Sequence, residues 1–218
     1  MKVIVYVEGD GDRLCLQTLL APLIETKNAA GIRVQFVPMT RGDRKAALLT
    51  NAPMKAAHIL MNAQDAWVVI LPDLYPPNKA FAHSSCAEMQ EGITTRFLDA
   101  LHRSGGKRAA DRFRVFCLIH DLEVLLLAAE ESFMAFCGLS RPRWVKPVEE
   151  QDHQTPPKRI VEELIPRYQA TVDGPLVLAA ADYRVIAERC PTGFGKFVEF
   201  LQATGSTSDS PLKEDRHV

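Results

Sequence analysis

The sequence predicts an α/β fold, an open parallel or mixed sheet flanked by helices with a helical C-terminal region, from three observations. Short apolar runs of strand length alternate with longer stretches of helical periodicity through about residue 120. The first three runs are closed by Glu8-Gly9, Pro38 and Pro72. From His120 onward strand-like runs cease and only helical patterns remain.

Val3–Val7 is a nearly all-apolar run, as expected of a strand covered on both faces. Gly9 and Gly11 break it, and a helix is predicted over Arg13–Thr26, with Leu14, Leu16, Leu19, Leu20, Leu23 and Ile24 as its apolar face. Ile32–Val37 reads as a second strand ended by Pro38, and Asp43 as the cap of a helix running to about Met61. Trp67–Leu71 is a third strand stopped by Pro72. A loop over Asp73–Ser84 leads to a helix over Ala87–Arg103, terminated by Gly105-Gly106. Phe113–Ile119 is the fourth strand.

Leu122, Val124–Leu127 and Ala128–Ala129 form an apolar helix too short to cross a membrane. Leu139–Pro157, rich in Pro, Glu and Gln, reads as a loop or lid. Pro157–Tyr168, Leu176–Arg189 and Gly193–Ala203 read as helices. The domain organisation expected is an α/β core over 1–130, a helical part over 131–204 packed on the same domain, and a disordered tail over 205–218, which is almost devoid of apolar residues.

With 218 residues, 47% hydrophobic and 24% charged, the chain can bury a core without disulfides or a structural metal. Its five cysteines (Cys15, Cys86, Cys117, Cys137, Cys190) are odd in number and contain no C-x-x-C pair, which favours reduced thiols and a cytoplasmic location. Val3–Val7 is too short for a signal peptide or a span, so no membrane association is expected. A formal net charge of −1 means that any nucleic-acid partner must be held by a local basic surface or another subunit.

Ligands in open α/β sheets bind at the C-terminal ends of the strands. Three strand ends carry acidic clusters: Glu8-Gly9-Asp10-Gly11-Asp12, Asp73-Leu74-Tyr75 and His120-Asp121-Leu122-Glu123. Carboxylates from separate strands suit Mg²⁺, a hard cation that takes one or two of them together with water and phosphate oxygens. Gly9 beside Glu8 leaves room for close approach. Simpler roles stand beside this one. Asp12 suits a helix cap, Asp73 a turn, and His120 with Asp121 a helix start. Glu123 lies among Leu122, Val124 and Leu125, where a carboxylate needs a partner or an ion. There is no P-loop, zincin or G-x-S-x-G motif, and Gly9-Asp10-Gly11 lacks the third glycine of a dinucleotide fingerprint.

The opening Val5-Tyr6-Val7-Glu8-Gly9-Asp10-Gly11-Asp12 resembles the V-E-G-x-T-E opening of TOPRIM-type domains. Asp73-Leu74-Tyr75, Ile119-His120-Asp121-Leu122-Glu123-Val124-Leu125-Leu126, Pro157-Lys158-Arg159-Ile160 and Cys190-Pro191 with Phe194 and Phe197 follow in order. Together these blocks resemble the bacterial domain of unknown function 4276 family, regarded as TOPRIM-like.

The resemblance implies a TOPRIM-like Rossmannoid sheet and a Mg²⁺ (or Mn²⁺) site. Glu8, Asp73 and Glu123 would be catalytic metal ligands, with Asp12 a further ligand and Glu8 also a general acid or base. Gly9, His120, Asp121, Lys158 and Arg159 would face the substrate. A nuclease or related phosphodiester-cleaving protein follows, with nucleic acid and an anti-phage defence ATPase as partners and room for a homo-oligomer. Some features depart from the pattern. Position 12 is Asp, Gly11 replaces a hydroxyl residue, the second cluster lacks the second aspartate of D-x-D, and position 121 is Asp where the family has Glu. A non-catalytic subunit that binds an ATPase or nucleic acid, and a small-molecule phosphatase or phosphotransferase, remain open alternatives.

Overall fold

The apolar run behind Met1 becomes strand β1 (Lys2–Val7) in a computed structural model that describes residues 1–40, 42–79, 82–103 and 107–205. β2 (Arg33–Pro38), β3 (Ala66–Ile70) and β4 (Phe113–Val115) join it in a parallel sheet of order β2-β1-β3-β4. β1 is hydrogen-bonded on both sides, with Tyr6 opposite Val37 and Ile70. Its side chains alternate between two apolar layers. Val3, Val5 and Val7 enter one layer with Phe133, Phe194 and Phe197, while Ile4 and Tyr6 enter the other with Leu48, Met89 and Phe97.

The helix expected over Arg13–Thr26 is two helices, α1 (Asp10–Leu19) and α2 (Ala21–Ala29). Pro22 has no N–H to continue α1 but fits the first turn of α2. α3 (Arg44–Asn62) starts as expected, with the Asp43 carboxylate accepting from the Ala46 N–H at 2.9 Å. α4 (Cys86–Arg103) follows β3. The Gly105-Gly106 stop and residues 206–218 of the expected tail lie outside the described residues.

β4 is shorter than the predicted Phe113–Ile119. Beyond it the chain still follows β3's extension: the Leu118 N–H donates to Pro72 O at 3.0 Å, and the Leu74 N–H to Leu118 O at 2.8 Å. Pro72 has no N–H to give back, so the ladder thins to a single bridge between Asp73 and Leu118. That bridge ties the second acidic cluster to the chain leading into the third.

The remaining helices are α5 (Glu123–Ala128), α6 (Glu130–Cys137), α7 (Pro157–Leu164), α8 (Asp173–Leu178), α9 (Tyr183–Arg189) and α10 (Lys196–Ala203). α7 stops short of Tyr168 because Ile165 precedes Pro166 and takes an extended conformation, φ −117° and ψ 97°. The helix expected over Leu176–Arg189 is divided between α8 and α9. Asp182 opens α9, its carboxylate accepting from the Arg184 N–H at 2.9 Å. Pro191–Gly195 forms a π-helical turn before α10. Residues 139–157 contain only a short 3-10 turn, Val148–Glu150. No described helix is long and apolar enough to cross a membrane.

Gly193 packs directly on the backbone beneath the acidic crevice. A Cβ there would overlap the Cys117 carbonyl and lie 3.1 Å from the Leu118 Cα. Gly193→Ala should therefore cost about 1–3 kcal/mol by overpacking, visible as a lower midpoint in urea unfolding.

Candidate functional site

The parallel sheet directs all its C-terminal strand ends to one edge, and the chain places a charged group at each. β1 delivers Glu8, then turns at Gly9 into α1, where the Asp12 carboxylate accepts from the Gly9 N–H at 2.8 Å. β2 leads through the Asp43 cap to Arg44 and Lys45 at the start of α3. β3 delivers Asp73, and the segment after β4 delivers His120, Asp121 and Glu123 at the start of α5. α7 opens there too. The Lys158 N–H donates to Asp121 Oδ2 at 3.2 Å.

Burial drives the electrostatics. It raises Glu8 to about 7, with Lys45 opposing and Asp12 reinforcing the shift, and the Asp73 backbone opposing it in turn. Asp73 is held well above the ordinary range by burial and then by the charges of Glu8 and Asp12. Asp12 is raised by burial despite backbone donors at Gly9 and Glu8 and the nearby Arg44. Asp121 is raised to about 7 by burial and by Glu123, against Lys158. Glu123 is raised by burial, with Lys158 and the Tyr168 hydroxyl opposing.

Two linked groups result. Glu8 and Asp73 share Lys45, whose Nζ lies 3.7 Å from Glu8 Oε1, an ion pair too long for a hydrogen bond, and Asp12 adds its charge to both carboxylates. Asp121 and Glu123 share Lys158, and Glu123 is only 4% exposed. Asp12 acts electrostatically on both groups. Glu8 Oε1 and Asp121 Oδ1 are buried without a hydrogen-bond partner. Asp10 is exposed and pairs with Arg13 at 3.1 Å, outside the crevice.

His120, Asp121, Lys158 and Arg159 line one groove beside the crevice, together with Tyr75, His153 and Glu162. Lys158 and Arg159 are exposed, and the Arg159 guanidinium pairs with Glu163 at 3.2 Å. Gly9 is buried, and a Cβ on it would lie 3.0 Å from an Arg44 nitrogen.

Among the described residues, no three His, Cys, Asp or Glu side chains are arranged to hold an ion together. A cage of Glu8, Asp73 and Glu123 is therefore not the arrangement present. Mg²⁺ needs only one or two carboxylates, its remaining positions taken by water and phosphate oxygens. Oε1 of Glu8, buried without a hydrogen bond and adjoining Asp73 in a crevice with excess negative charge, fits that looser mode.

Lys45, Tyr168 and His153 were missed as site residues, and Tyr75 was named only as part of the second acidic cluster. Lys45 follows a strand end, so the rule that exposed the acidic clusters would have exposed it as well. Tyr168 and His153 lie in irregular segments beyond prolines or in the long loop, where no periodicity marks them.

No curated protein matches the chain. The C-terminal region of the Burkholderia pseudomallei OLD protein has a similar fold, with TM-score 0.52 and 18% identity over 92% of this chain and 96% of that one. The C-terminal region of the Xanthomonas campestris pv. campestris OLD protein gives TM-score 0.47 and 14% identity over 92% and 96% of the two chains. The first likeness and the parallel sheet agree on the α/β class, a sheet flanked by helices with a helical C-terminal region, expected from the sequence. A family model matches from the last residue of β1 into α10, residues 7–202, and the chain accordingly belongs to the family described as Domain of unknown function (DUF4276).

Proposed function

We propose that the chain is a Mg²⁺- or Mn²⁺-dependent enzyme that cleaves phosphodiester bonds in nucleic acid. The observation that carries this reading is the concentration of Glu8, Asp12, Asp73, Asp121 and Glu123 at one sheet edge, all held above their ordinary pKa by burial. Folding accumulates such mutually repelling groups at a cost, and a cation or a reacting proton relieves it.

In this proposal Glu8 and Asp73 hold the metal, with Asp12 and Glu123 completing the negative field around it. The ion would polarise the phosphoryl oxygen and lower the pKa of a bound water. Without the ion Glu8 is raised to about 7 and binds a proton near neutral pH, which a bound cation would displace. Lys45 orients Glu8, and the Lys158 N–H orients Asp121. His120, Asp121, Lys158 and Arg159 face the substrate strand.

The proposal includes residues 1–130 and 131–204 acting as one domain, supported by the shared layer that holds Val5 and Phe197. It further assigns the protein to the cytoplasm, beside an ATPase partner of an anti-phage defence system. Purified protein with plasmid or single-stranded DNA should give cleavage that requires Mg²⁺ or Mn²⁺ and stops with EDTA. No cleavage of DNA or RNA with either metal would overturn it. The second reading, a non-catalytic subunit binding an ATPase or nucleic acid, draws on the Lys45–Glu8 ion pair, which already balances the leading carboxylate. Metal-dependent stabilisation without cleavage would favour it.

A further inference from the structure

We propose that the groove beside the acidic crevice holds an unpaired base of a single nucleic-acid strand, stacked on the aromatic wall of Tyr75 and His153 and read by His120. The inference rests on the phosphodiesterase reading and adds to it the substrate's form.

The groove encloses about 470 Å³, within the roughly 300–1,000 Å³ of small-ligand pockets. Its walls are mostly apolar and aromatic, with Tyr75, Pro76, Pro77, His120, His153 and Pro156 among them. The Tyr75 ring lies 4.1 Å from His153 and 6.1 Å from His120, centroid to centroid. The rings are tilted to one another by 32–41°, and the outer face of such an aromatic wall accepts any base by stacking.

His120 gives the groove a polar reader. The residue is 1% exposed, and its Nε2 lies 3.2 Å from the Glu149 carbonyl oxygen. A carbonyl only accepts, so Nε2 carries the hydrogen and Nδ1 presents a lone pair. Burial lowers the His120 pKa and keeps the ring neutral. Nδ1 is buried and has no partner in the protein. A buried acceptor in an apolar wall is costly until a donor arrives, and the amino or imino N–H of a base is such a donor.

Charge orders the remainder of the strand. Lys158 and Arg159 stand exposed on the groove wall and suit the flanking phosphates. Asp121 belongs to both groove and crevice, since it lines the first and acts on Asp73 in the second. A base seated against Tyr75 thus brings its own backbone toward Glu8 and Asp73. Bases paired and stacked inside a duplex cannot enter, so the groove selects single strands.

The test measures binding rather than cleavage, on the Glu8→Gln protein in EDTA. Anisotropy is read with fluorescein-labelled oligodeoxythymidine and with the same strand in a blunt duplex. The single strand should bind more tightly. Tyr75→Ala should weaken it about tenfold or more, Tyr75→Trp should restore it, and His153→Ala, in an exposed loop position, should weaken it without altering the fold. Equal affinity for duplex, failure of either strand form to bind, or single-strand affinity unchanged in folded His153→Ala would overturn the inference. Loss of binding on His153→Ala in a protein that cleaves nothing would sink the phosphodiesterase reading alone. Cleavage indifferent to Tyr75 and His153 would sink the groove alone.

Discussion

Glu8→Gln is expected to lower metal-dependent cleavage by about 10²–10³-fold while leaving the fold intact. Glutamine keeps the shape of the side chain, but it has no charge for a cation and no titratable proton. Thermal stability at about pH 8 should not fall, because ionised Glu8 is already disfavoured by burial there. Lys45 loses one partner yet keeps the attraction of Asp73. The decisive comparison is initial cleavage rate at saturating Mg²⁺ alongside a melting curve of the same preparation. Cleavage that survives in Glu8→Gln would remove the glutamate from the site. Loss of cleavage accompanied by a collapsed melting transition would show a folding role instead.

The second large effect is on stability. Melting temperature of the metal-free protein should fall as the pH rises from about 4.5 to about 7, and Mg²⁺ should reverse the fall. Burial raises Glu8 and Asp121 to about 7 from ordinary values of 4.5 and 3.8. A raised pKa means that the folded chain binds the proton more tightly than the unfolded one. The contribution is therefore complete below the unfolded value, drains away across the window, and levels off above about 7. For Glu8 alone the shift is worth roughly 3 kcal/mol. A divalent cation occupies the space the proton leaves, so its stabilisation should be large near pH 8 and small near pH 5. At about a hundredfold excess over its dissociation constant, Mg²⁺ adds roughly 3 kcal/mol, or about 5–10 °C for a chain of this length. A melting temperature flat in pH, or equally responsive to Mg²⁺ at both ends, would contradict the crevice electrostatics.

Much of the fold was legible because its causes are local. The apolar run Val3–Val7, the Asp43 cap and the proline stops at Pro38 and Pro72 all correspond to elements that formed. The errors were local too. Pro22 and Pro166 lay in plain view inside predicted helices, and each one divides or ends its helix through its missing N–H and its effect on the preceding residue. The fourth strand was overdrawn because an apolar run continues past the point where its neighbour, at Pro72, has hydrogens to give.

By itself the sequence determined which residues lie at strand ends, and hence that Glu8, Asp12, Asp73, Asp121 and Glu123 gather at one edge of a parallel sheet. Only the tertiary structure decided which of them share a cation. It set Lys45 against Glu8 and Lys158 against Asp121 and Glu123, and it left Oε1 of Glu8 buried without a hydrogen bond. It also joined Tyr75, His120 and His153 into one groove. Order along the chain follows from local conformational preference, whereas charge balance and stacking depend on separations of a few ångströms between segments that meet only on folding.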